Sequence, residues 1–147
     1  MPHVVQSGMG YLLAILAAML WGFAYALDHK IVHALPVTLI IALGAGINLG
    51  VMIPVIAYQG NWGEVAAMTR TTMVQLVLST AALIAAGFCT LESIRLIGAA
   101  RASSMEIAYP LFTVVFLFLL FKEVSSWWTL VGAALIFAGS VIIVLKS

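Results

Sequence analysis

Five runs of predominantly apolar residues, at 10–27, 37–58, 71–91, 102–121 and 126–145, fill almost all of this 147-residue chain and leave only short connections. A helix rising about 1.5 Å per residue needs roughly 20 such residues to cross a hydrocarbon core about 30 Å thick, so each run is long enough to span a bilayer. Apolar residues make up 65% of the chain and charged residues 7%, with a mean hydropathy of +1.21, which leaves too little polar surface to cover a water-soluble fold. The expected fold is an all-α integral membrane protein, a single domain of five transmembrane helices over residues 1–147. A membrane barrel is excluded, because its strands would read as segments of about ten residues with alternating polarity, whereas these runs are apolar on every face. No stretch remains for a soluble catalytic or nucleic-acid-binding module.

The formal charge of +1, with a pI near 7.9, points to no charged partner, and no basic run marks nucleic acid or anionic lipid recognition. The single cysteine, Cys89, lies in the third run, which rules out an intrachain disulfide and any thiolate metal cluster. The segment 1–10 has no Lys or Arg, so the first run is expected to be a permanent span despite the small-residue string Ala24-Tyr25-Ala26. Across five spans, Lys30, Arg95, Arg101 and Lys146 fall opposite the N-terminus, against Arg70 and Lys122 on its side. Loop cations concentrate in the cytoplasm, so this bias places the C-terminus inside, and its weakness also allows insertion in both orientations.

The connections have simple chemistry. Asp28-His29-Lys30 is expected to close the first helix and Pro36 to open the second, where a missing N–H costs nothing. Tyr58 to Gly63 forms a turn with two headgroup-belt aromatics, and 64–70 is the longest polar connection. Glu92 and Arg95 sit three apart on one helix face, Gly98 to Arg101 makes a small-residue turn, and Trp127 and Trp128 anchor the last helix after the Lys122-Glu123 turn.

Helices associate in lipid through small residues that let backbones approach. Gly46 and Gly50 form a GxxxG pair, Ala82 and Ala86 a similar small pair, and Gly132 and Gly139 share a face of the last helix. Each can seat a neighbouring helix of the same chain or of a partner, and the Gly132/Gly139 face is the expected subunit interface because the last helix has the fewest adjacent neighbours.

An ionisable side chain within the hydrocarbon costs several kcal/mol, so Glu106 is the leading candidate for chemistry. It lies four residues before Pro110, whose ring nitrogen has no hydrogen to give the Glu106 carbonyl. Thr113, seven residues beyond Glu106, shares its face in a continuous helix, and Glu106, Pro110 and Thr113 together would line a polar track for a proton, an amine or a hydroxyl. The competing reading has Glu106 snorkel to the interface and pair with Arg101 or Arg95. In the first helix, Trp21, Tyr25 and Asp28 recur at helical spacing, a wall on which organic cations or planar solutes can stack, with Gly22 giving space. Ordinary helix packing with a solvated Asp28 is the alternative. Asn48, with Pro54 removing the donor to the Gly50 carbonyl, adds a polar lining or an interhelical hydrogen bond. His29 and His33, four apart at a helix end, lack further ligands, so no metal or cofactor is expected.

Trp21-Gly22, the stretch from Ala99-Ala100-Arg101-Ala102-Ser103-Ser104 through Glu106-Ile107-Ala108-Tyr109-Pro110, the Lys122-Glu123 turn and Gly132-Ala133-Ala134-Leu135-Ile136 occur in the order and spacing of a known family. The chain resembles an EamA-type domain of the drug/metabolite transporter superfamily over nearly its whole length, most specifically from about Thr90 to Val144. The resemblance implies a five-helix repeat that most relatives carry twice, with the halves inverted about a central cavity. A single repeat implies a homodimer, or a heterodimer with a second five-helix subunit. Trp21 and Gly22 would then shape the cavity, and Glu123 would cap the turn before the last helix. The expectation is a multi-pass protein of a bacterial plasma (inner) membrane that moves a small metabolite, amine or drug by alternating access. A lipid-linked sugar flippase subunit and a non-transporting accessory or scaffold subunit are the alternatives. No nucleophile-base set, metal cluster or phosphate loop supports an enzyme.

Overall fold

A computed structural model describes the backbone of residues 2–146 and the side chains of residues 8–146. It is helical nearly throughout: α1 (Pro2–Ala34), α2 (Val37–Gln59), α3 (Trp62–Ala66), α4 (Arg70–Ile97), α5 (Ala99–Glu106), α6 (Tyr109–Phe121) and α7 (Trp127–Lys146), with no strand among the described residues. Five spans are long and apolar enough to cross a membrane: Gly8–Ala34, Val37–Gln59, Arg70–Ile97, Ala99–Phe121 and Trp127–Lys146.

The helices outrun the apolar runs where nothing stops them. α1 does not close at Asp28 but continues to Ala34, because no breaker precedes Pro36, whose ring disfavours helical geometry in the residue before it. Pro36 itself is the N-cap of α2 (φ −60°, ψ 140°), its carbonyl accepting from Leu39 and Ile40 at 3.0 and 3.1 Å. α4 likewise carries Glu92 and Arg95 inside its last turns and stops at Gly98, whose φ of +85° suits glycine best. The polar connection is shorter than its composition suggests, since Trp62–Ala66 coils into the short α3. Thr69 Oγ1 then caps α4 by accepting the Thr72 amide at 3.2 Å.

The fourth span departs most from the expected single helix. α5 ends at Glu106, and α6 restarts at Tyr109 with Pro110 in its first turn. A proline ring inside a helix collides with the carbonyl four residues back, here that of Glu106, whereas in a first turn it fits without penalty. The junction is stitched by tighter three-residue bonds, Ala108 N–H to the Met105 carbonyl at 3.2 Å and Leu111 N–H to the Ala108 carbonyl at 3.1 Å. Pro54, by contrast, lies inside the unbroken α2.

α6 closes on Lys122, a left-handed residue (φ +58°) whose amide donates to the Phe118 carbonyl at 3.0 Å. Its ammonium lies 5.5 Å from the Phe118 ring centroid, which helps to hold an otherwise unfavourable backbone. α7 is capped by Ser126, whose Oγ accepts the Thr129 amide at 3.2 Å.

The chain forms two compact units, Met1–Lys30 with Ser93–Ser147, and Ile31–Glu92, the boundaries falling within α1 and α4. In the first unit, α7 packs against both α5 and α6. The buried side chains on these elements are small: Ala102 on α5, Ala108 at the junction, and Ala133 and Ser140 on α7. This is the close approach that membrane helices use in place of a hydrophobic drive. In the second unit, Val32, Val37 and Leu91 are the buried apolar side chains, while most large apolar groups of both units are exposed, as lipid-facing residues should be.

Candidate functional site

Within the first unit, α1, α5 and α7 wall a cavity of about 810 Å³. This is within the range that holds drug-sized or metabolite-sized molecules. α1 contributes Ala18, Trp21, Gly22 and Tyr25, successive turns of one face. Tyr25 is 9% exposed and Trp21 67% exposed, so the aromatic wall is firmly seated at one end and open at the other.

α5 supplies Ser103, Ser104 and Glu106 just where it ends, and Tyr109 follows at the head of α6. The break therefore delivers the carboxylate and the irregular backbone to the same cavity. Lipid tolerates non-helical backbone only where protein or water covers it, which gives the cavity a structural reason to lie here. The serine hydroxyls are oriented by the helix itself: Ser104 Oγ donates to the Ala100 carbonyl at 2.6 Å, and Ser103 Oγ to the same carbonyl at 3.2 Å. On α7, Ser140 Oγ donates to the Ile136 carbonyl at 3.0 Å, beside Gly139. A serine that gives its hydrogen to its own helix still presents an oxygen that accepts. The described lining holds one carboxylate and three serine oxygens, and no Lys, Arg or His.

The structure thus brings Trp21, Tyr25, Glu106 and Gly139 together, with Gly22 between the two rings' turns. It does not bring the other expected residues to the cavity lining. Asp28 lies further along α1, half-buried. Pro110 and Thr113 belong to α6 beyond the break, so they do not continue the Glu106 face as a straight helix would, and Thr113 Oγ1 donates to the Tyr109 carbonyl at 3.0 Å. Asn48 is exposed on α2, in the Ile31–Glu92 unit.

The glycine pairs serve no close packing within their own units. A methyl group placed on Gly132 or Gly139 would meet nothing within 4 Å, and the same holds for Gly46 and Gly50. The intrachain contact of α7 instead uses Ala133 and Ser140, one position along, where a helix has turned by about 100°.

Ser103, Ser104, Ser140 and Tyr109 were not singled out from sequence as site residues. A signal existed for the first two, which stand two and three residues before Glu106 in an otherwise apolar run. Ser140 had none, because an isolated serine in a membrane helix satisfies itself on the backbone.

The fold and this cavity define a multi-pass helical membrane protein with a largely apolar recess that holds a carboxylate and serine hydroxyls. Residues 8–145 match the EamA-like transporter family, and the chain belongs to it, a membrane transporter family of the drug/metabolite transporter superfamily. Comparison with curated proteins and with solved structures found no match.

Proposed function

We propose that the chain is a subunit of a secondary transporter that carries a small metabolite, amine or drug through the α1/α5/α7 cavity by alternating access, as a dimer. The cavity carries the reading: about 810 Å³ of space joins aromatic rings, serine oxygens and a carboxylate at a broken helix. Broken helices whose ends meet at midmembrane are the usual construction of transporter binding sites. Glu106 is the group on which substrate and proton would compete, with Trp21 and Tyr25 as the stacking wall.

The open side of the recess supports a second subunit. Trp21 and Tyr109 line it yet are 67% and 63% exposed, and the glycine faces of α2 and α7 have no close neighbour in their own units. Both arrangements suit a partner that covers the recess and packs against small residues. A homodimer is the simplest case, and a heterodimer with a second five-helix chain the alternative. The distribution of loop cations supports a plasma-membrane orientation with the C-terminus inside.

The test needs no knowledge of the substrate. In a Cys89→Ser background, Ala18→Cys places a thiol on the cavity wall and Ala67→Cys places one in the connection before α4. Impermeant maleimide applied from either face of sealed vesicles reads both. Alternating access predicts that Ala18→Cys reacts from each face to a greater extent than the orientation ratio given by Ala67→Cys allows. Labelling that only follows that ratio leaves the recess open to one side and removes the transport reading.

A further inference from the structure

From the few polar groups on a largely apolar cavity wall we infer that its ligand is an ammonium ion bearing N–H groups on an apolar or aromatic body, and that Ser103 and Ser104 select for those N–H groups. The inference rests on the transport reading of the same cavity and specifies what enters it. The first observation is charge. The described lining has a carboxylate, Glu106, and no Lys, Arg or His, so an organic acid or phosphate would enter without a counter-charge. A carboxylate offers about four acceptor positions, so Glu106 can receive a ligand N–H alongside an interaction it makes inside the chain.

The second observation is the direction of the serine hydrogen bonds. Ser103 and Ser104 both give their hydrogens to the Ala100 carbonyl, at 3.2 and 2.6 Å. What they turn to the cavity are oxygen lone pairs, half-exposed and two to three residues from the carboxylate. Beside the carboxylate these oxygens reward a ligand rich in donors, while the donors of the lining, the Tyr25 and Tyr109 hydroxyls and the Trp21 indole, carry no charge to hold an anion. A primary ammonium has three N–H donors and can meet the carboxylate and the serine oxygens together. A quaternary ammonium carries the same charge and the same attraction to Trp21 and Tyr25, but it has no hydrogen to donate.

The third observation is the aromatic wall. Trp21 and Tyr25, stacked one turn apart on α1 with Gly22 beside them, provide ring faces for an apolar body and for the cation itself. Charge alone would admit any cation, and the rings alone would admit any flat solute. The serine oxygens supply the discrimination between cations.

The experiment measures equilibrium binding to the purified full chain in nanodiscs, with empty nanodiscs subtracted, for phenethylamine, its trimethylammonium analogue and phenylacetate. Phenethylamine should bind at least about tenfold more tightly than either of the others, the fold-change expected when charge-assisted hydrogen bonds are lost. In the double variant Ser103→Ala/Ser104→Ala, phenethylamine should weaken by about tenfold while the trimethylammonium compound stays within about twofold. The second compound thereby reports that the variant is folded, and the comparison on the unmodified chain stands without it. Equal or tighter binding of phenylacetate or of the trimethylammonium compound, unaltered phenethylamine binding in the double variant, or no binding of phenethylamine overturns the inference. If the Ala18→Cys thiol labels by alternating access while phenylacetate is preferred, the transport reading survives and the amine does not. Amine binding with labelling that only follows the orientation ratio does the reverse.

Discussion

Ala133→Leu should unlock the packing that shapes the cavity. Ala133 is 3% exposed on α7, the helix that packs against α5 and α6, and the other buried side chains of these elements are no larger than serine. Leucine adds three carbons where almost no surface is open, and overpacking of this kind costs about 1–3 kcal/mol. That is about a 5- to 140-fold shift in the folding equilibrium. Ala134, the next residue, is exposed, so Ala134→Leu adds the same carbons on a surface face and should stay within about 0.5 kcal/mol. Both variants leave the charge and the cavity-lining residues intact, so their difference isolates the helix contact. Reversible unfolding in mixed detergent and SDS micelles measures it, and Ala18→Cys labelling in each background reads the recess. Because α5 and α7 carry Ser103, Ser104 and Ser140, forcing them apart should also alter labelling in Ala133→Leu alone. Equal stability of the two variants would show that the small-residue contact does not hold these helices together.

Two further outcomes follow from individual residues. Glu106→Gln keeps the shape of the side chain and removes the group for which proton and substrate compete. A one-for-one exchanger accumulates substrate up to about tenfold per pH unit, about 1.4 kcal/mol, so the variant in proteoliposomes should equilibrate substrate without accumulating it while eluting with the native oligomeric state. Retained pH-driven accumulation excludes the carboxylate from coupling. Ser126→Ala removes the oxygen that accepts the Thr129 amide at 3.2 Å and should cost about 1 kcal/mol in the same micellar unfolding assay, with ligand binding unchanged.

The spans were legible because lipid imposes one rule that local composition obeys: every residue along about 20 must be largely apolar. Helix ends were less legible because charge was read as termination. Asp28 and Glu92 do not stop a helix, and α1 and α4 run on to residues beside Pro36 and Gly98, which do. The short α3 was hidden because Trp62, Val65 and Ala66 repeat at helical spacing over only five residues, beside the turn residues Gly60, Asn61 and Gly63. At the site, Trp21, Tyr25 and Glu106 were visible because aromatic spacing and an intramembrane carboxylate are local facts. Thr113 was linked to Glu106 on the premise of an unbroken helix, and the junction at Ile107 and Ala108 ends that periodicity. Ser140 and Gly139 reach the cavity only through the packing of α7, which no neighbouring residue in sequence encodes.

The break in the fourth span ties fold to chemistry. A continuous helix would bury its own hydrogen bonds and present Glu106 to the hydrocarbon at an insertion cost of about 2.5–3.5 kcal/mol near the centre. Pro110 instead ends α5 at Glu106, about 10 Å along the span from Ala99, and the residues around that end line the recess. The same discontinuity that is costly in lipid thus becomes tolerable beside a cavity that has its own polar groups, and that cavity is where a carboxylate, three serine oxygens and three aromatic rings meet. Since the buried side chains on α5, on α7 and at the junction are no larger than serine, at Ala102, Ala108, Ala133 and Ser140, few interlocked side chains would have to be released for α5 to shift along α7. A wall of this kind can hold a ligand through hydrogen bonds and still move, which is what opening the recess first to one face and then to the other demands of it.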